Sequence, residues 1–367
     1  MKMKKKILYI GGFEMPDGNA AAQRVLAVAK SLRKVFDISF LGITHGSNFS
    51  GDVDGFDYKN LTYPSSKNDW INHLTGTEEL VYVKNFNPDI VVAYNFPAFG
   101  LYRITKYCKK RDIKIVGDIT EWYQPRNLLK WTDTTWRMVF LNKKMDGLIL
   151  ISKYLKNYYS DTNSILMPPT VDTQEKKWAT ETKEKKGDKT ITLMYAGSPG
   201  RDDKDRLDNL VECIGKYSNL LLKVVGITSD DYKKKFPEVI IPHNVEFYGR
   251  QSHDRTIELL NDSDFSVFFR RPSRVNNAGF PTKFVEAQSA GIPVVSSHFS
   301  DLEAYVAEGK NGFLANSIGR DDVDSVLSKL SNLSRIEIQA MHDYTKSQNQ
   351  FDYRNYQVQL AEFFQSL

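Results

Sequence analysis

Residues 268–297 read FFRRPSRVNNAGFPTKFVEAQSAGIPVVSS, and Thr282, Lys283 and Glu286 within them have the types and spacing to hold an anion and a diol. The apolar run 265–269 ends in a loop of Arg, Asn, Gly and Pro, and an amphipathic run starts at Thr282. The start of a helix leaves several N–H groups unpaired and carries about half a positive charge, so phosphate settles there without a metal. Thr282 is placed to cap this helix, with Lys283 in its first turn beside the anion. Glu286 is a carboxylate able to accept two hydroxyl hydrogen bonds, the chemistry that holds a ribose diol; alone, it reads as a solvated helix Glu. A second stretch, AGSPGRDDKDRL, adds Gly197 and Gly200 for tight backbone and Arg201 and Lys204 as cations. Two cations converging on a helix start neutralise a diphosphate without magnesium. The interleaved Asp202, Asp203 and Asp205 fit a charged exposed turn as well.

These groups need strands and helices to bring them to one level. Short apolar strands are predicted at 190–195, 220–225, 245–248, 264–269 and 292–296, with helical runs at 207–214 and 255–260. An earlier set lies at 7–10, 36–41, 89–93, 113–118 and 147–152. Alternation of this kind predicts two α/β domains in series, each a parallel sheet with helices on both faces, and a cleft between them. Ligands sit beyond the carboxyl ends of such strands, which selects Asn95, Asp118, Thr120, Glu121 and Ser152. Asp118 reads as a structural cap. Glu121 beside Trp122 and Tyr123 suits a sugar, since aromatic rings stack on sugar faces while a carboxylate grips hydroxyls. The first apolar run ends in Gly11 and Gly12, which open a glycine loop, and Arg24, one turn into the next helix, faces either a ligand or solvent. The loop lacks the Gly-x-Gly-x-x-Gly dinucleotide fingerprint.

Residues 127–145 mix Trp131, Trp136, Met138, Phe140 and Leu141 with basic residues. Such a helix can lie in a membrane interface, but the continuous apolar run at 138–141 favours packing on its own sheet. Residues 174–189 are almost wholly polar and read as a linker, which sets the domains at 1–173 and 190–350. In residues 351–367, Tyr353, Tyr356, Leu360, Phe363 and Phe364 fall on one helical face, which must be buried against another element.

Composition narrows the classes. The chain has 367 residues, 41% apolar and 26% charged, as in an ordinary globular protein of two domains. It contains no run of about 18 apolar residues and no signal-like start, and two distant cysteines and six unpaired histidines offer neither a disulfide frame nor a zinc site. A reducing cytoplasm is the expected setting. Residues 1–170 hold 24 Lys and Arg against 16 Asp and Glu, a net +8, leaving −3 for the remainder of a +5 chain. A basic first half suits a phospholipid-linked acceptor or weak peripheral contact with the membrane that carries it, and solubility alone accounts for it too. No recognition-helix or zinc-finger pattern points to nucleic acid.

The order MYAGSPG, VVG, VEFYGR, FPTKFVEAQSAGIPVV, Glu303 and NGFL resembles the nucleotide-sugar domain of family-four retaining glycosyltransferases of the GT-B fold. NAAAQRV, DGLILISKYLKNYY and ILMPPTVD resemble that family's acceptor domain and crossover, and GDITEWY is similar to bacterial members that build surface polysaccharides. The resemblance implies two Rossmann-like domains, with the final helix, 351–367, returning to the first. It also implies an NDP-sugar donor, most simply a UDP-sugar, a glycan or lipid-linked acceptor, transfer with retention, and neither metal nor cofactor. Glu286 then holds the ribose, Lys204 and Arg201 the diphosphate, and Gly249 and Arg250 the base edge. Gly197, Ser198, Gly279, Phe280, Pro281, Thr282 and Lys283 frame the donor; Gly12, Arg24 and Trp122 face the acceptor, with Glu121 near the reacting groups. Ala278 replaces the family's first Glu, which leaves Asn276, Asn277 or Arg274 to hold the sugar. Two rival readings are a sugar-nucleotide epimerase and a non-catalytic subunit of a transferase complex.

Overall fold

A computed structural model describes residues 4–16, 18–46, 49–178, 189–197, 199, 204–348 and 350–367. The chain divides into two units, Met1–Val171 with Ala278–Phe280 and Tyr353–Leu367, and Asp172–Asn277 with Pro281–Asp352. Each is built on one sheet, as the alternating strands and helices predict.

The first sheet contains β1 (Lys5–Gly11), β2 (Phe36–Thr44), β3 (Phe49–Val53), β4 (Phe56–Thr62), β5 (Ile90–Tyr94), β6 (Lys114–Ile119), β7 (Gly147–Leu150) and β8 (Ser164–Leu166). Their order is β3-β4-β2-β1-β5-β6-β7-β8, parallel except for the β3–β4 pair. Central strands such as β1, from Ile7 on, and β5 are apolar because helices cover both faces. The order reverses at β1, so the loops after β1 and β5 open a crevice at the carboxyl edge. Gly11 makes that edge tight: at φ +152° a β-carbon there would stand 2.5 Å from the Tyr94 carbonyl oxygen.

The C-terminal helix Gln357–Gln365 buries Leu360, Phe363 and Phe364 in the core on one face of this sheet. Phe364 lies 5.8 Å from Phe36, centroid to centroid. Each such side chain contributes about 1.5–3 kcal/mol when fully buried. Phe351 and Asp352 belong instead to the second unit, where Phe351 packs edge-on against Phe284 and Asp352 accepts from Thr173.

The second sheet contains β9 (Ile191–Ala196), β10 (Leu220–Val225), β11 (Val245–Gly249), β12 (Phe265–Phe268), β13 (Val294–Ser297) and β14 (Gly312–Ala315), all parallel, in the order β11-β10-β9-β12-β13-β14. Its reversal falls at β9, between β10 and β12.

Three expectations change. The β3–β4 hairpin, β8 and β14 are additional strands, short or at sheet edges, where one-sided burial gives no long apolar run. Of the expected linker, 179–188 lie outside the described residues, whereas Trp178 is buried and residues 174–178 belong to the second unit. The 138–141 run is not continuous core: it lies in a helical turn, Arg137–Leu141, where Met138 and Leu141 share the buried face and Phe140 points outward.

Candidate functional site

In the second unit the strand ends are drawn together by backbone. Gly197 N–H donates to the Val225 carbonyl at 2.9 Å and Gly226 N–H to that of Gly249 at 2.7 Å. A β-carbon on Gly226, at φ +112°, would come within 2.5 Å of the Gly197 oxygen, so only glycine lets these loops stack.

Beside them Asp205, 2% exposed, gathers three donors: the Tyr195 hydroxyl at 2.9 Å, Arg270 Nε at 2.6 Å and Lys283 Nζ at 2.7 Å. Burial alone would raise its pKa, but Lys283 and Arg270 outweigh that and hold it well below the usual carboxylate range. Burial lowers Lys283 to about 8; Asp205 opposes the shift and Arg270 adds to it. The Lys283 ammonium also lies over the Tyr195 and Phe268 rings, 4.5 and 5.0 Å from their centroids. A β-carbon on Gly197 would stand 3.2 Å from it, which places the cation against the glycine loop. Two cations face one carboxylate, so the cluster carries a surplus positive charge at the strand ends.

The helix Thr282–Ser289 begins here. Its N-cap is Pro281, in extended conformation, and no side chain caps it. Thr282 therefore does not act as the cap: it is already the first helical residue, and a cap must be extended. The helix start, without a competing acid in its first turn, remains available to an anion. Glu286 follows one turn later, half-buried, with Oε1 3.3 Å from His253 Nε2. His253 opens the helix after β11, whose last residue is Gly249, at φ +63°, and the exposed Arg250 follows in the connecting turn. The ribose candidate thus sits near the expected base edge.

Other donor candidates divide. Lys204 is exposed and adjoins Asp205, while Ser198 and Arg201 lie outside the described residues. Asn276 Nδ2 donates to the Arg271 carbonyl and Asn277 Oδ1 accepts from Ser300 N–H, so one end of each amide is committed to the loop. Gly279 and Phe280 group with the first unit, where the neighbouring Ala278 carbonyl accepts from the Ser152 hydroxyl at 2.9 Å.

In the first unit Arg24 faces neither ligand nor solvent. It is 5% exposed, pairs with Asp118 at 2.8 Å and donates to the Met167 carbonyl, while the Tyr9 hydroxyl donates to Asp118 at 2.5 Å. A carboxylate drawn fully inside requires an internal cation, and Arg24 supplies it. Trp122 is also turned inward, edge-on to Tyr158 at 4.6 Å, which leaves Tyr123 as the exposed ring beside half-buried Glu121. Gly12 is exposed with open space around it.

Sequence reasoning passed over Asp205, Arg270, Tyr195 and His253. An Arg directly after an apolar strand, at 270, was the available signal; Asp205 was hidden among acidic neighbours that read as solvated.

Two doubly wound parallel sheets in one chain, with the site at the carboxyl edge of the second, define the GT-B fold, and solved structures of that class superpose on nearly the whole chain. A sucrose-phosphate synthase from Thermosynechococcus elongatus is similar at TM-score 0.72 and 12% identity, covering 99% of each chain. HepE of Anabaena, in complex with UDP and glucose, is similar at TM-score 0.71 and 16% identity over 99% of this chain and 100% of its own. A glycosyltransferase from Rickettsia africae gives TM-score 0.71 and 15% identity, with 99% and 100% coverage. Residues 176–350, nearly all of the second unit, match the family described as glycosyl transferases group 1. Curated protein sequences give no match.

Proposed function

We propose that the protein transfers a sugar from a nucleoside-diphosphate sugar, a UDP-sugar first, to a glycan or lipid-linked acceptor, with retention and without a bound metal. The observation that carries this reading is the desolvated Lys283 ammonium held by Asp205 against the Gly197 loop, at the side-chain-uncapped start of the helix that bears Glu286. As the sugar–oxygen bond breaks, negative charge grows on the leaving diphosphate. Lys283 and the helix start stabilise it where it develops, with Lys204 and Arg201 assigned to the same task. Glu286 accepts from the ribose hydroxyls. The acceptor hydroxyl attacks from the face the diphosphate leaves and passes its proton to a departing phosphate oxygen. HepE with UDP and glucose supports a UDP-sugar donor by likeness of fold.

Synthesis of bacterial surface polysaccharide at the inner face of the membrane is the setting we assign. No helix among the described residues is long and apolar enough to span a bilayer. The exposed Leu128 and Leu129, 71% and 78% accessible, with Trp131 and Phe140 and the neighbouring Arg126, Lys130, Lys143 and Lys144, support peripheral contact with an anionic leaflet. The test is release of free UDP or GDP from a panel of NDP-sugars, with and without lipid-linked acceptors and with EDTA. Acceptor-dependent release that EDTA leaves intact, giving a product of the donor's anomeric configuration, is expected. Release restored only by magnesium or manganese, or an inverted product, contradicts the reading.

A further inference from the structure

Arg137 is 4% exposed, yet among the described residues its guanidinium makes a single hydrogen bond, Nη1 to Asn95 Oδ1 at 3.4 Å. Its Nε is buried with no partner, and among the described residues it forms no ion pair. Burial lowers its pKa; Asp133, Tyr159, Glu121 and Tyr94 oppose that shift only from a distance. Asp133 is committed elsewhere, accepting from Ala98 N–H at 2.8 Å. An internal guanidinium with five donors and one long bond is a costly arrangement unless an anion completes it.

The position suits a ligand. Asn95 directly follows β5 in a left-handed conformation, φ +42°, a region asparagine adopts more readily than most residues. Its Nδ2 donates to the Thr120 hydroxyl at 2.6 Å, and Thr120 donates to the Tyr94 hydroxyl at 3.1 Å. The Tyr94 proton then has no acceptor among the described residues and is left to donate. Half-buried Tyr94 and Asn95, with Glu121 just past the end of β6, bring the cluster to the carboxyl edge of the first sheet, where parallel sheets take ligands. Arg137 itself opens the π-helical turn, a distortion common at functional sites.

We propose that Arg137, with the Tyr94 hydroxyl, forms an oxyanion site that holds a phosphate or carboxylate group carried by the sugar acceptor. This rests on the glycosyltransferase reading and narrows its acceptor to an anionic one. The planar fork of the guanidinium binds such a group through two parallel hydrogen bonds. A neutral acceptor would leave it unpaired, and Glu121 at the same edge is placed to meet hydroxyl groups rather than the anion.

The test titrates glucose 6-phosphate, glucuronate and methyl glucoside into the full chain with UDP saturating, so that the donor site is blocked to anions. At least one of the two anions is expected to bind at millimolar concentration while methyl glucoside does not, and the pair distinguishes phosphate from carboxylate. Arg137→Met should weaken anion binding at least tenfold, leave UDP affinity unchanged, and keep or raise the melting temperature, because it removes an unpaired buried charge. Arg137→Lys should retain part of the anion affinity. Anion binding equal to wild type in Arg137→Met, or a fall of several degrees in its melting temperature, overturns the site. So does a wild type that binds UDP but neither anion. A wild type that binds the anions but not UDP would instead strike the donor reading.

Discussion

In the first unit buried Asp118 is met by one arginine and one tyrosine; in the second, buried Asp205 is met by a tyrosine and two cations. The first cluster is neutral and closed, with Arg24 5% exposed and Asp118 fully buried. The second has charge to spare, and its Lys283 side chain remains 15% exposed beside a glycine loop and a helix start. A balanced internal pair fixes architecture, because any ligand would have to displace a partner. A surplus cation at a strand end is unfinished until an anion arrives.

The comparison breaks most visibly at Arg24. Arg24→Met leaves Asp118 buried and without its cation, and should cost about 3–5 kcal/mol in urea denaturation. Arg24→Met with Asp118→Leu should recover most of that loss, since the uncompensated charge is gone. A single variant within about 1 kcal/mol of wild type would show that the closed cluster is not structural.

A smaller effect is expected at Glu286. Glu286→Ala should weaken UDP binding by about 1.5–3 kcal/mol, the range for hydrogen bonds to a charged group, with the urea midpoint nearly unchanged. Unchanged affinity in a folded variant removes Glu286 from the site.

The smallest effect is a proton. Lys283 titrates near 8 in the free protein, below its ordinary range because burial disfavours its charged form. A bound diphosphate favours that charged form and raises the pKa. Binding near pH 8 should therefore take up a fraction of a proton, uptake should vanish at pH 6 where Lys283 is already charged, and affinity should fall as pH rises through 8. Calorimetry in buffers of differing ionisation enthalpy measures this; equal uptake at pH 6 and pH 8 assigns the proton to another group.

Both sheets were legible because their central strands are buried on two faces and read as unbroken apolar runs. The β3–β4 hairpin was missed although Asp54 and Gly55, both at positive φ, form the Asp-Gly turn that favours hairpins. Its flanking strands are too polar to stand out. Glu286 and Lys283 stood out as candidates because a helix start after a strand limits where a diphosphate and a ribose can lie. The inward turn of Arg24 and Trp122 was not legible, since neither spacing along a helix nor the loop after β6 reports that a carboxylate from β6 or a ring at Tyr158 waits inside. Asp205 was misread for the converse reason: burial, rather than its neighbours in sequence, decides whether a carboxylate is solvated.

The most direct measurement is UDP calorimetry on wild type and Lys283→Met. The surplus-cation account predicts that the variant loses at least tenfold in affinity, about 1.4 kcal/mol. It also predicts only a modest stability change, because Asp205 keeps Arg270 and Tyr195. Wild-type affinity in Lys283→Met would show that the diphosphate lies elsewhere and would contradict the account.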